Sequence, residues 1–133
     1  MAKPSYLYTL HIKSAPYQSQ SCRTALCFAE ALLKKGHTIK QVFFSGEAVV
    51  IANDRQLIPQ DEESMTSAWA ELSDRHRFPI DICSAAAVRR GVLGESEALQ
   101  YQQANANLVK GYTIAGLGQF IESAALSDRV ITF

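Results

Sequence analysis

Tyr6-Leu-Tyr-Thr-Leu-His-Ile12, Ser21-Cys-Arg-Thr-Ala-Leu-Cys-Phe-Ala-Glu-Ala-Leu-Leu-Lys-Lys35 and Thr38-Ile-Lys-Gln-Val-Phe-Phe44 follow one another in the chain. Their succession decides the fold. The first and last runs are apolar and rich in β-branched and aromatic residues, which suit a half-buried strand. The middle run places Ala25, Phe28, Ala29, Leu32 and Leu33 on one helical face. Two lysines and Gly36 then supply a C-terminal stop. Ser14 to Ser21 is a polar loop in which Pro16 opposes continuation of the first strand. A crossover of this length permits parallel pairing, so the three runs form a βαβ unit.

The alternation continues outward from that unit. Glu47 to Ile51 begins a short helix, and Asn53 to Asp61, with Pro59, is loop. Met65, Ala68, Trp69 and Leu72 recur on one face of a helix expected over Glu62–Arg75. Pro79-Ile-Asp-Ile-Cys83 is the third strand, followed by a helix over Ala85–Arg90 that Gly91 ends. Glu95–Leu99 and the more polar Gln100–Lys110 offer one or two short helices. Gly111-Tyr-Thr-Ile-Ala-Gly-Leu-Gly118 reads either as loop or as a helix entrance. Gln119–Leu126 is the last helix and Asp128-Arg-Val-Ile-Thr-Phe133 a terminal strand. The expected fold class is α/β, one domain over residues 1–133 with three layers around an open, mainly parallel sheet. Periodicity alone does not set the strand order.

Bulk properties narrow the function. The 133 residues are 47% apolar and 20% charged, with zero formal net charge. Such a chain can bury a core without disulfides. Its neutrality argues against nonspecific nucleic-acid binding, which needs basic surface. Met1-Ala-Lys-Pro-Ser-Tyr leads straight into a strand, so no secretory leader is expected. No apolar run approaches the roughly 20 residues that span a bilayer. Three cysteines, Cys22, Cys27 and Cys83, suit a reducing cytoplasm better than a disulfide framework. The cysteines and histidines lack zinc-ligand spacing, so no metal site is expected, and no resident cofactor is expected either.

Cys83 holds the best chemical position. Active groups in open α/β sheets emerge beyond strand C-termini. The N-terminus of a following helix would stabilise a thiolate there. Ser84 would start or cap that helix. Arg89 and Arg90 would add positive potential if they fold back toward the sulfur. A buried structural cysteine is the competing reading, since free cysteines are often buried. Cys22 and Cys27 read as helix packing. His11, near the end of the first strand, is either a packing residue or a pocket-lining acid–base group. Tyr17 and Gln18 follow the same strand and line either a loop surface or the edge of the thiol's pocket. Gly116-Leu-Gly118 lacks the full dinucleotide fingerprint and reads as a tight turn.

Several stretches together resemble the DsrE/DsrF-like sulfur-relay family. They are Ala15-Pro-Tyr-Gln-Ser-Gln20, Phe28-Ala-Glu-Ala-Leu32, Gly36-His37 before Val42-Phe-Phe44, Gly111–Gly118 and Asp128–Phe133. The most specific is Ile82-Cys-Ser-Ala-Ala-Ala-Val-Arg-Arg-Gly91. The resemblance implies that Cys83 carries a transient persulfide, taken from an upstream persulfide donor and passed to a downstream protein cysteine. One branch of the family implies 2-thiolation of the tRNA wobble uridine, with TusB- and TusC-like subunits and a TusE-like acceptor. Another implies dissimilatory sulfur oxidation with DsrF, DsrH and DsrC. Both imply a cytoplasmic heterohexamer, with no direct nucleic-acid contact and no membrane. A third possibility is a structural subunit with an inactive, buried Cys83.

Overall fold

The computed structural model describes residues 3–133. The expectation about a leader also bears on Met1 and Ala2, which lie outside the described residues. Among the described residues there are five strands and five α-helices, alternating except where α4 follows α3 directly. In order they are β1 (Leu7–Ile12), α1 (Ser21–Lys34), β2 (Thr38–Phe44), a 3-10 helix (Gly46–Ala52), α2 (Met65–His76), β3 (Ile80–Cys83), α3 (Ser84–Arg89), α4 (Glu95–Gln100), β4 (Tyr112–Ala115), α5 (Leu117–Leu126) and β5 (Arg129–Thr132). The strands form one sheet in the order β4-β3-β2-β1-β5. All four pairings are parallel.

This order explains the layers. Steps from β1 to β2, β3 and β4 all move in one direction across the sheet. Right-handed crossovers therefore set their helices on one face. The step from β4 to β5 runs back across the sheet, so the same rule sends α5 to the other face. Aromatic contacts agree. Tyr8 meets Phe28 of α1, and Phe44 meets Trp69 of α2 edge to face with centroids 5.8 Å apart. On the opposite face Phe43 stacks on Phe120 of α5 at 4.7 Å. The first face holds the main core, in which Leu10, Ile12, Phe44, Trp69 and Ile82 are all fully buried. Ala86 and Ala87 of α3 join that cluster. The second face has one helix for five strands, and no residue of α5 is fully buried.

Three expectations need correction. Tyr112–Ala115, inside a segment read as loop or helix entrance, is the edge strand β4. The run is only four residues long. Its pairing with β3, from Ile80↔Tyr112 to Cys83↔Ala115, supplies what local sequence does not. Gly111, at φ +101°, turns the chain into it. Residues 101–110 contain no helix. They form a loop held by the Asn107 side chain, which accepts from Leu93 N–H at 2.7 Å and donates to Gly91 O at 2.8 Å and Asn53 Oδ1 at 3.2 Å. Finally, α2 starts at Met65, not Glu62, because the Ser64 hydroxyl caps it by accepting from Ser67 N–H.

Candidate functional site

Cys83 is the last residue of β3 and the N-cap of α3. Its backbone is extended (φ −62°, ψ 124°), so the chain enters the helix directly from the strand. The first-turn N–H groups of a helix lack intrahelical partners and carry partial positive charge. Ser84 begins the helix and does not cap it. Strand alternation turns Ile80 and Ile82 into the main core and sends Asp81 toward the α5 face. Cys83, where the strand gives way to the helix, packs against the edge of the main core. Cys83 is half-buried, with small Ala115 beside it on β4.

The other two cysteines have different surroundings. Cys22 is fully buried in α1, and Trp69 donates its indole N–H to the sulfur at 3.3 Å. Burial pushes the Cys22 thiol up to about 11, against the opposing indole bond. A group so held stays a thiol at neutral pH. Cys27 is exposed in the middle of α1. Only Cys83 lies at the carboxyl edge of the sheet.

The two arginines of the sequence motif separate. Arg89 is exposed. Arg90 folds back along α3, donating from Nη1 to Ala86 O at 3.2 Å, while Nη2 meets Glu47 Oε1 at 2.6 Å. Its Nε is buried without a partner. The hydrogen bond from Arg90 holds the Glu47 carboxyl below its ordinary value. The same bond, then the charges of Glu47 and Cys83, favour the cationic form of Arg90 against partial desolvation. Sequence reading missed Glu47 in this role. It lies in the first turn of the 3-10 helix, far from Arg90 in sequence, and only the packing of that helix on α3 joins them.

The remaining candidates do not meet at the sulfur. His11 lies on β1, two strands from β3, and packs on Phe43 and Phe120. Its Nε2 shares a 2.7 Å hydrogen bond with Ser45 Oγ, another group the sequence did not single out. Register puts His11 in the row of Phe43 and Asp81, with Cys83 two residues further along. Strand spacing then separates the His11 and Cys83 backbones by about 12 Å. Burial, then Lys13, lowers the His11 pKa. Tyr17 and Gln18 line a cavity of about 540 Å³ with Arg23, Glu62, Glu63 and Met65, and Cys83 is not part of its wall. Tyr17 Oη accepts from Met65 N–H at 3.3 Å. Gly116 caps α5, with its N–H donating to Gln119 Oε1 at 3.0 Å. Among the described residues, no group of three His, Cys, Asp or Glu side chains is placed to hold a metal. No helix among them is long and apolar enough to cross a membrane.

The family model described as the DsrE/DsrF-like family matches residues 7–133. A "Sulfurtransferase TusD homolog" of Aliivibrio fischeri is 44% identical over 129 residues, covering 97% of this chain and 99% of the relative. One from Vibrio vulnificus is 42% identical over 126 residues, covering 95% and 96%. The "Sulfurtransferase TusD" of Pectobacterium carotovorum is 40% identical, covering 95% and 98%. Among solved structures, the ychN protein from E. coli superposes with a TM-score of 0.77 at 21% identity, covering 96% of this chain and 99% of that one. That likeness is one of fold.

Proposed function

The chain belongs to the DsrE/DsrF-like family, and from that premise we propose that it is a sulfurtransferase subunit of a sulfur relay whose carrier is Cys83. The position of Cys83 carries the reading. Of the three cysteines it alone combines a strand C-terminus, a helix N-terminus and partial exposure. The relatives named sulfurtransferase span nearly the whole chain.

The chemistry is two successive exchanges. The Cys83 thiolate attacks the outer sulfur of a donor persulfide, R–S–SH. A bond forms from Cys83 Sγ to that sulfur, the old S–S bond breaks, and the electron pair leaves on the donor thiolate. Cys83 then holds S–SH. An acceptor thiolate attacks the same outer sulfur, and Cys83 departs as thiolate. No net oxidant or reductant is needed. Cys83 is the N-cap of α3, so the anion in each step forms at the helix end whose first-turn N–H groups lack intrahelical partners. Arg90, at the C-terminal end of α3 and pinned by Glu47 of the 3-10 helix, supports that anion electrostatically, while the exposed Arg89 is free to meet a partner. The sulfur is cargo, so the chain needs no metal or organic cofactor for this transfer.

TusD, the name its relatives carry, supports the tRNA-thiolation branch over exchange with a DsrC-like acceptor. On that reading TusB- and TusC-like subunits complete a cytoplasmic assembly, a TusE-like protein accepts the sulfur, and the end product is the 2-thio group of wobble uridine. Purification of the native complex, challenge with a persulfidated donor and peptide mass spectrometry test the proposal. One added sulfur atom should map to Cys83 and vanish in Cys83→Ser, with assembly retained. An active donor that leaves Cys83 unloaded in the intact complex would sink it. Loss of assembly alone in Cys83→Ser would favour a packing role.

A further inference from the structure

The thinly roofed face of the sheet carries a second site. Beside α5 a groove of about 500 Å³ opens over β2 and β3. Gln41 and Asp81, only 2% and 8% exposed, lie on its sheet side. Gln41 Nε2 donates to Asp81 Oδ2 at 2.6 Å. A carboxylate only accepts, so the amide must turn its NH2 toward Asp81. Gln41 Oε1 is thereby left buried without a partner. Asp81 accepts that bond through Oδ2, and its Oδ1 is not among the buried orphan atoms but open to the groove. Glu122 adds a carboxylate from the α5 wall, while Lys40 and Arg77 line the groove without pairing to Asp81.

Buried polar groups left like this are costly unless something completes them. The missing component is a donor: one free carbonyl oxygen and a half-paired carboxylate both call for N–H groups. The lining holds two carboxylates and two cations, so it is the unpaired Gln41 oxygen and the adjoining Asp81, to which neither cation is paired, that select a donor. Burial raises the Asp81 carboxyl above its ordinary value, against the opposing bond from Gln41, which fits an acidic group awaiting its counter-charge. Leu126, 60% exposed, joins Leu7 and Ile39 in an apolar lining. That lining suits the methylene stem of a long basic side chain, not a free small cation.

We propose that this groove receives an arginine or lysine side chain of a second protein subunit, seated against Asp81 and the Gln41 carbonyl. The proposal is independent of the chemistry of Cys83. Two measurements on the full chain and one on its assembly test it. In the isolated chain, butylguanidinium chloride should shift the Gln41 side-chain NH2 and the Asp81 amide saturably by NMR, and Asp81→Asn should weaken that binding at least about tenfold, as loss of a charge partner does. The same variant should match or exceed the wild-type melting temperature, because it removes a buried, half-paired charge. In the purified assembly, Asp81→Asn should weaken retention of the neighbouring subunit by about tenfold or more.

A melting temperature lowered by Asp81→Asn overturns the proposal, since the single bond from Gln41 would then already compensate the buried charge. Absent saturation, or equal binding by the variant, overturns it too. Binding of the probe with unchanged assembly overturns the protein occupant. Persulfide loading on Cys83 is read separately, so failure here leaves the sulfur-transfer reading standing, and the reverse holds.

Discussion

Asn107→Ala tests whether one side chain holds the loop behind the candidate site. Asn107 makes three hydrogen bonds, to Leu93 N–H, Gly91 O and Asn53 Oδ1. It thereby ties the segment after α3 to the residue that follows the 3-10 helix. Backbone bonds from Asn107 N–H and Leu108 N–H to Leu93 O survive the substitution. Each neutral hydrogen bond contributes about 0.5–1.5 kcal/mol net. The half-buried position lets water replace part of this, so the expected loss is about 2 kcal/mol. For a chain of 133 residues, the usual unfolding entropy per residue converts that loss into a fall in melting temperature of about 7 °C. Calorimetry and urea unfolding measure it, with an unchanged m-value if the native state stays compact. Asn107→Asp should be worse at neutral pH, because it sets a carboxylate against the acceptors Gly91 O and Asn53 Oδ1, and it should recover in acid. A loss below about 0.5 kcal/mol for Asn107→Ala, within the range of ordinary surface substitutions, would refute the assignment of these bonds as the clasp.

Three further outcomes are expected. Iodoacetamide at neutral pH should modify Cys27 and leave Cys22 unlabelled until the chain unfolds, because the Cys22 thiol is buried and raised to about 11; native-state labelling of Cys22 would contradict this. His11 has a folded-state pKa below its ordinary 6.5, so the unfolded chain binds more protons between those two values. Stability should therefore hold above pH 6.5 and decline as pH falls through the lowered pKa, with that slope missing in His11→Gln; denaturant titrations at several pH values would read the difference. Phe120→Ala strips the stacking partner of Phe43 and the cover of His11. For a half-buried aromatic the cost is about 2–3 kcal/mol, below that of a full core truncation, and a loss under about 1 kcal/mol would show that α5 hardly depends on this contact.

The fold was readable where local pattern and tertiary role coincide. Thr38–Phe44 has the same bounds in sequence and structure, because a β-prone run lies between a glycine stop and a polar turn. The βαβ unit around α1 follows from period and length. The strand β4 was not readable, since four residues at a sheet edge take their identity from β3. The α1 face was legible in part: Ala25, Ala29 and Leu32 are buried as expected, but Leu26 and Cys22 replace Phe28 and Leu33 in the deep core. At the candidate site, the place of Cys83 between a strand and a helix was legible. Glu47, Ser45 and Gln41 did not, because their partners Arg90, His11 and Asp81 are distant in sequence and are brought near only by packing and sheet register.

The backward step from β4 to β5 also has a consequence for synthesis. One edge of β1 pairs with β2, whose residues follow it soon. The other edge waits for Arg129–Thr132. During translation, β1 therefore presents an unpaired strand edge until residues 129–132 have been made. Such edges invite pairing with other chains. Nascent chains stalled before residue 129 should be the aggregation-prone species, and strand closure by β5 should be a late event in folding.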